Sequence, residues 1–356
     1  MTTPHKKIVS SFGLWKSNIT PELIAAAIGL SDPQWGGDGQ TLVWREERSG
    51  QGVLMAQPLG EAPYVLSGDL NVRAGVGYGG GDFTVRGGLV VFAAKDGRLY
   101  RRELGTGFPA PITPEFGSAA APQISPDQRW VAFVHTDEGQ DVLAVVDAAG
   151  TRWPEKLALG ADFYMQPAWQ PDGSAIAWVE WDHPNMPWDG TRLMVAALEG
   201  DPPKVKAAQQ LAGGDDVPIL QPAFSPDGRY LSYIQNEGEW DQLMLLNLES
   251  GELSTLVAGA ALLKPAWIQG LVVQAWSAES NRIYFLQSQA GVSALHQVDV
   301  ATGEVTPLDL APYTSLSQLS VNPVERIALV ASASSVSPRV ISQQDGQITI
   351  HQRSTS

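Results

Sequence analysis

Three copies of one short hairpin constrain this 356-residue chain more than any other feature. QPAWQPDGSAIAWVE begins at Gln166, QPAFSPDGRYLSYIQ at Gln221, and APQISPDQRWVAFVH at Ala121. In each, two short apolar runs flank a Pro-Asp-Gly type of turn. Proline pre-sets the second turn position, aspartate caps locally, and glycine accepts a positive φ. Gln128 replaces that glycine in the Ala121 copy. In the Gln221 copy, residues 219–224, 229–235, 242–247 and 253–257 read as four strands separated by SPDG, NEGEWD and LESGE turns. Four strands per unit, repeated every ~40–50 residues, predict the blades of a β-propeller. Pro122, Pro167, Pro222 and Pro265 then mark successive innermost strands, at spacings of 45, 55 and 43 residues.

Extended along the chain, the pattern predicts blades at 32–67, 77–113, 119–159, 162–211, 217–256, 262–308 and 313–351. The fold class is therefore all-β, a seven-bladed β-propeller of four-stranded antiparallel blades over 31–352. The first, sixth and seventh blades lack SPDG. A single blade cannot bury both of its faces, so radial stacking supplies the core. An N-terminal arm, 1–30, carries a short helix: Thr20 caps it, Pro21 fits its first position, Glu22 complements its dipole, and Gly29 ends it. Leu23, Ile24, Ala27 and Ile28 share one apolar face of that helix. Residues 353–356 form a tail.

Composition excludes several functions. With no cysteine there is no disulfide framework and no thiolate metal site. The five histidines are scattered, and the turn acids lack calcium-loop spacing, so neither a metal nor a cofactor is expected. A formal net charge of −15 argues against a nucleic-acid partner, which needs clustered Lys and Arg. No apolar run reaches the ~20 residues that cross a bilayer, so no membrane partner is expected. A cytoplasmic location is the expectation that fits these features.

One loop departs from the repeat. WDHPNMPWDG, residues 181–190, stands where the other copies have a short polar hairpin turn. Its two Trp, two Pro, two Asp, His and Met form either the wall of a cavity or a rigid plug packing its own aromatics.

FGLWKSNIT (12–20), NVRAGVGYGGGDF (71–83), GADFYMQPAWQPDG (160–173) and WDHPNMPWDGTRL (181–193) occur in this order. Together they resemble the N-terminal region of acylaminoacyl-peptidase-like and dipeptidyl-aminopeptidase-like members of the prolyl oligopeptidase family of serine peptidases. The WDHPNMPWDG run is the specific part; SPDG occurs in many unrelated propellers. Members of the family usually carry a His-Glu pair before the Tyr-Gly-Gly-Gly element, where this chain has only Gly77 before Tyr78.

The resemblance implies a partner: an α/β-hydrolase domain with a Ser, Asp and His triad, its active site enclosed between the two domains. Such a domain is not expected within these 356 residues. No serine lies in a G-x-S-x-G nucleophile turn, the nearest matches at 29–33 and 291–295 lacking the second glycine. No catalytic residue is therefore assigned. The implied role is to gate the hydrolase site and help to bind short peptides. Residues 1–356 would then be the propeller separated from its hydrolase, a split gene product, or a natural stand-alone propeller. The competing reading is a stand-alone scaffold that binds a protein or peptide, and self-association stays open.

Candidate contacts follow, each beside a plainer reading. Trp181 and Trp188 are wall residues or a plug. His183, followed by proline, titrates near neutrality or fixes a turn. Tyr78, with Gly79, Gly80 and Gly81, permits close backbone approach to a hydrolase or a peptide, or simply opens the second blade's inner strand. Arg73 suits bidentate pairing with a carboxylate, or makes a surface ion pair. Glu180, Asp182 and Asp189 bind a peptide amino group, or are solvated. Trp15 and the arm lie against the hydrolase in the resembled family. Here the arm is expected to be poorly ordered, to fold onto the propeller, or to be buried by another copy of the chain.

Overall fold

The computed structural model describes residues 9–11, 13, 14, 17, 20–262 and 266–355. Trp15 and Pro265 lie outside the described residues. Seven four-stranded antiparallel sheets occupy 29–65, 83–111, 118–158, 163–213, 219–260, 274–308 and 315–353, each with its strands hydrogen-bonded in chain order. First strands contact first strands of neighbouring sheets, as Phe163–Trp169 does with Ser118–Ile124 and with Ile219–Phe224, so they line the axis. The seven-bladed propeller expected from the hairpin repeat is the observed fold.

The third, sixth and seventh blades keep the same turn with residues other than SPDG. In the third blade Ser125 Oγ accepts from the Trp130 amide at 2.9 Å and donates to Asp127 Oδ1. Ser277 Oγ accepts from the Arg282 amide in the sixth blade, and Asn322 Oδ1 from the Arg326 amide in the seventh. The last turn residue is left-handed whether it is Gly228, Gln128, Ser280 or Glu325. The hydrogen-bond pattern, not the tetrapeptide, is what repeats.

Each of the first six blades buries at least one large aromatic residue on its second strand, the most deeply buried being Trp44, Phe92, Phe133, Trp178, Tyr233 and Phe285. Burying a side chain of this size stabilises by about 1.5–3 kcal/mol. Stacked blades share these groups across continuous apolar clusters, the largest running from the second blade into the fourth.

The ring closes without a shared strand, because every sheet contains only its own four consecutive strands. Side chains cross the seam instead. Asn322 Nδ2 donates to Gly39 O at 2.8 Å, Gln318 Nε2 donates to Asp32 Oδ1, and His351 Nδ1 lies 2.9 Å from Gln57 Oε1.

Two expectations need correction. The helix is shorter than expected, Pro21–Ala26, and Gly29 opens the first strand instead of ending the helix. The Ile28 amide bonds to Ser354 O at 2.9 Å, which pulls residues 27 and 28 into an extended approach to the ring. Among the described residues of the arm, Val9, Leu14 and Ile24 are 94%, 76% and 66% exposed. Finally, Pro265 does not mark the sixth innermost strand, which is Gln274–Trp276.

Candidate functional site

Topology decides which loops meet. In an antiparallel blade ordered from the axis outward, the loop between strands two and three opens at the same end as the connection to the next blade. The 181–190 loop, the 66–82 connection and the 261–273 connection therefore share one end of the ring. Both ends of the propeller chain meet there too, through the Ile28–Ser354 bond.

At this end the loops enclose a cleft of about 320 Å³. Phe163 anchors its floor, stacked on Trp181 with centroids 5.1 Å apart and meeting the His183 ring edge-on at 4.8 Å. Trp188 packs against Trp267 at 4.5 Å, and Trp267 meets Tyr78 edge-on at 6.3 Å. Tyr78 and Trp267 are 76% and 55% exposed, so the rim presents aromatic surface to solvent. Asp141 of the third blade also lines the cleft, its carboxyl pushed above the usual range by burial, with the Thr136 hydroxyl opposing.

The 181–190 loop is held from within. Arg192 Nη2 binds Asp182 Oδ2 at 2.7 Å and reaches Glu180 Oε1 at 3.3 Å. Glu180 Oε2 accepts from Trp178 Nε1 at 2.7 Å. Burial raises the Asp182 carboxyl, but Arg192 and the Asp162 amide outweigh it and hold the group below its ordinary value. Asp189 Oδ2 accepts from the Met186 amide, and Asn185 Nδ2 donates to Asp215 O. Glu180, Asp182 and Asp189 are thus already engaged in the loop's own bonds. Arg73 is exposed on the 66–82 connection. Gly77, where the resembled family has its His-Glu pair, has φ 54° and open space where a Cβ would stand.

The glycine run beside Tyr78 has a partner within the chain. The Gln269 amide bonds to Gly79 O at 2.9 Å, and Gly80 bridges Gln269 in parallel register. A Cβ on Gly80 would come within 2.4 Å of Gln269 O, and one on Gly270 within 2.5 Å of Gly81 Cα. Glycine is required because two backbones touch.

The structure brings Tyr78, Trp181, His183 and Trp188 into one cleft, with Glu180, Asp182 and Asp189 in and around its supporting loop. It adds Phe163, Asp141 and Trp267, which the sequence reading passed over.

No protein-family model and no curated protein matches the chain. Among solved structures, a puromycin-hydrolyzing peptidase of Mycobacterium tuberculosis superposes with a TM-score of 0.86 at 25% identity, over 96% of this chain and 56% of that one. A puromycin hydrolase gives 0.84 at 26% identity, over 95% of this chain and 55% of the other. Its structural neighbours are propeller regions of prolyl-oligopeptidase-family peptidases. The chain thus spans little more than half the length of these peptidases. A prolyl endopeptidase, with a TM-score of 0.51 at 16% identity, shares the fold alone. In this propeller, the end carrying the aromatic cleft is also the end where Ile28 and Ser354 meet. No helix among the described residues is long and apolar enough to cross a membrane.

Proposed function

We propose that this propeller is the non-catalytic, substrate-gating partner of an α/β-hydrolase domain, and that its aromatic cleft holds part of a short peptide. One observation carries the reading: exposed Tyr78 and Trp267 and half-buried Trp188 surround a cleft at the end of the ring where Ile28 and Ser354 meet. A domain continuing from either terminus would sit over that cleft. Solvent-facing aromatic groups gathered in one concavity are a recognised mark of a ligand site.

Charge around the cleft supports the same reading. Asp162, Asp189, Asp215, Asp216, Glu237 and Glu239 are exposed on loops of the fourth and fifth blades, whereas Arg73 and Lys95 are exposed beside the first and second. A short peptide lying across the cleft would place its amino group toward the acidic sector and its carboxylate toward Arg73. Aminoacyl and acylaminoacyl compounds with an aromatic side chain are the substrate class that fits best. This agrees with the puromycin-hydrolysing activity for which the structural neighbours are named.

The chain alone should show no turnover of chromogenic aminoacyl or acylaminoacyl substrates. Mixed with the separately produced hydrolase domain of a puromycin hydrolase, it should suppress cleavage of an unfolded protein while sparing a dipeptide substrate. Hydrolysis by the pure chain that is sensitive to serine reagents would overturn the reading. A propeller that instead captures long unfolded chains as tightly as dipeptides would favour the stand-alone scaffold.

A further inference from the structure

The connection from the fifth blade to the sixth does not stay at the rim. Its residues 268–273 cross the axis, bonding in turn to the second, fourth, seventh and fifth blades. Gln269 N–H donates to Gly79 O at 2.9 Å and Gln269 Nε2 to Tyr164 O at 2.8 Å. Gln166 Nε2 donates to Leu271 O at 2.9 Å. The Val272 amide donates to Gln318 Oε1 at 3.0 Å, and the Val273 amide to Gln221 Oε1 at 2.7 Å. This strap divides the central depression in two. The aromatic cleft lies on one side, and a second cleft of about 270 Å³ lies on the other, with Ile268 lining both.

The two clefts differ in chemistry. Leu220, Leu286 and Leu316 from three blades face Ile268 and Leu271 of the strap across the second cleft. No Asp, Glu, Lys, Arg or His lines it among the described residues. Gln166, Gln221 and Gln318 each bond the strap backbone with one end of the side-chain amide and another group with the other, Gln318 reaching Asp32. In its lining Ser288 Oγ and Ser293 Oγ are 3.1 Å apart and bonded to each other. One hydroxyl proton makes that bond, and the proton of the accepting serine remains for a ligand.

We infer that this second cleft is a binding subsite for an uncharged aliphatic group flanked by a carbonyl, such as a leucine-like side chain with its peptide carbonyl at the serine pair. The inference rests on reading this end of the ring as the peptide-facing one, and it adds a second pocket of opposite character. Ions are excluded because nothing in the lining compensates a buried charge. An aromatic side chain has its own cleft across Ile268. A peptide straddling the strap would carry an aromatic residue on one side and an aliphatic residue on the other.

The test uses the full chain with labelled Leu, Val, Ile and Met methyl groups. N-acetyl-leucine amide should shift the Leu220, Leu286 and Leu316 methyl signals saturably, while N-acetyl-tyrosine amide should shift Met186. Leu316→Trp, which fills the cleft, should weaken the leucine probe at least tenfold and leave the tyrosine probe unchanged. Leu286→Phe provides a second, milder filling should the first variant misfold. Leucine shifts confined to Met186, or unaltered by either filled variant, would overturn the subsite. Absence of tyrosine-probe shifts at Met186 would count against the aromatic cleft alone.

Discussion

Gln352 of the seventh blade donates its side-chain N–H to Glu46 Oε1 of the first blade at 2.8 Å, and so ties the last strand of the ring to the second. Glu46 is fully buried, and Trp44 Nε1 shares the same oxygen while Arg48 takes the other. A carboxylate with every lone pair engaged is a strong lock. The fourth blade uses the same Trp-x-Glu pair, Trp178 and Glu180, but turns the carboxylate toward Arg192 and the functional loop.

Glu46→Ala should destabilise the chain by about 3 kcal/mol, because three donors lose their acceptor and the Trp44 N–H is left buried. Gln352→Ala should remove about 1 kcal/mol. Urea midpoints measured at constant slope check both. Unchanged midpoints in both variants would mean that the seam is held by apolar packing alone.

His351 sits at the same seam, with Nε2 2.8 Å from Ser342 Oγ. Burial, followed by the nearby Arg326, pushes it down to about 4 from an ordinary 6.5. The unfolded chain therefore takes up this proton first. Stability from neutral His351 is complete above pH 6.5 and is lost as pH falls toward 4, by at most about 3 kcal/mol. His351→Gln should flatten that acid limb in thermal melts. An unchanged limb would assign it to other groups.

Asp32 behaves oppositely. Burial, then the Asp82 charge, pushes it up to about 7, against help from Ser31 and Arg45. Between pH 3.8 and 7 the folded state holds a proton that the unfolded state releases, so stability falls as pH rises through that window. Asp32→Asn keeps the acceptor for Gln318 and should raise the melting temperature at pH 8 while leaving it unchanged at pH 3.5. A lower value at pH 8 would mean that ionised Asp32 stabilises the ring.

Gly80→Ala should loosen the strap, since its Cβ would meet Gln269 O at 2.4 Å and its φ is 81°. The Gln269 amide should lose exchange protection, with protection in the outer strands kept. A stability loss of about 1–3 kcal/mol is expected from the backbone strain.

Much of the fold was legible because its signals are local. A turn such as 225–228 carries its own chemistry, and strand alternation needs only a handful of residues. Pro265 misled because Pro-Ala-Trp at 265–267 imitates the inner-strand pattern, whereas Gln274-Ala275-Trp276 is the true strand. That Trp267 instead belongs to the aromatic cleft was invisible, since its partners Trp188 and Tyr78 lie in other blades. The acidic residues of the 181–190 loop were legible as a group, but their use was not. Arg192, which engages Glu180 and Asp182, stands one strand later and reaches them only through antiparallel register. The glycine run was readable as a close approach, while the surface approached, Gln269 and Gly270, came from the opposite side of the ring.

The most direct measurement is a tryptophan-fluorescence titration of the intact chain with an aromatic dipeptide, comparing wild type, Trp188→Ala and Arg192→Ala. Saturable quenching is expected in wild type, abolished by Trp188→Ala and weakened about tenfold by Arg192→Ala through loss of loop support. Indistinguishable titrations in all three proteins would contradict a peptide-binding role for this face of the propeller.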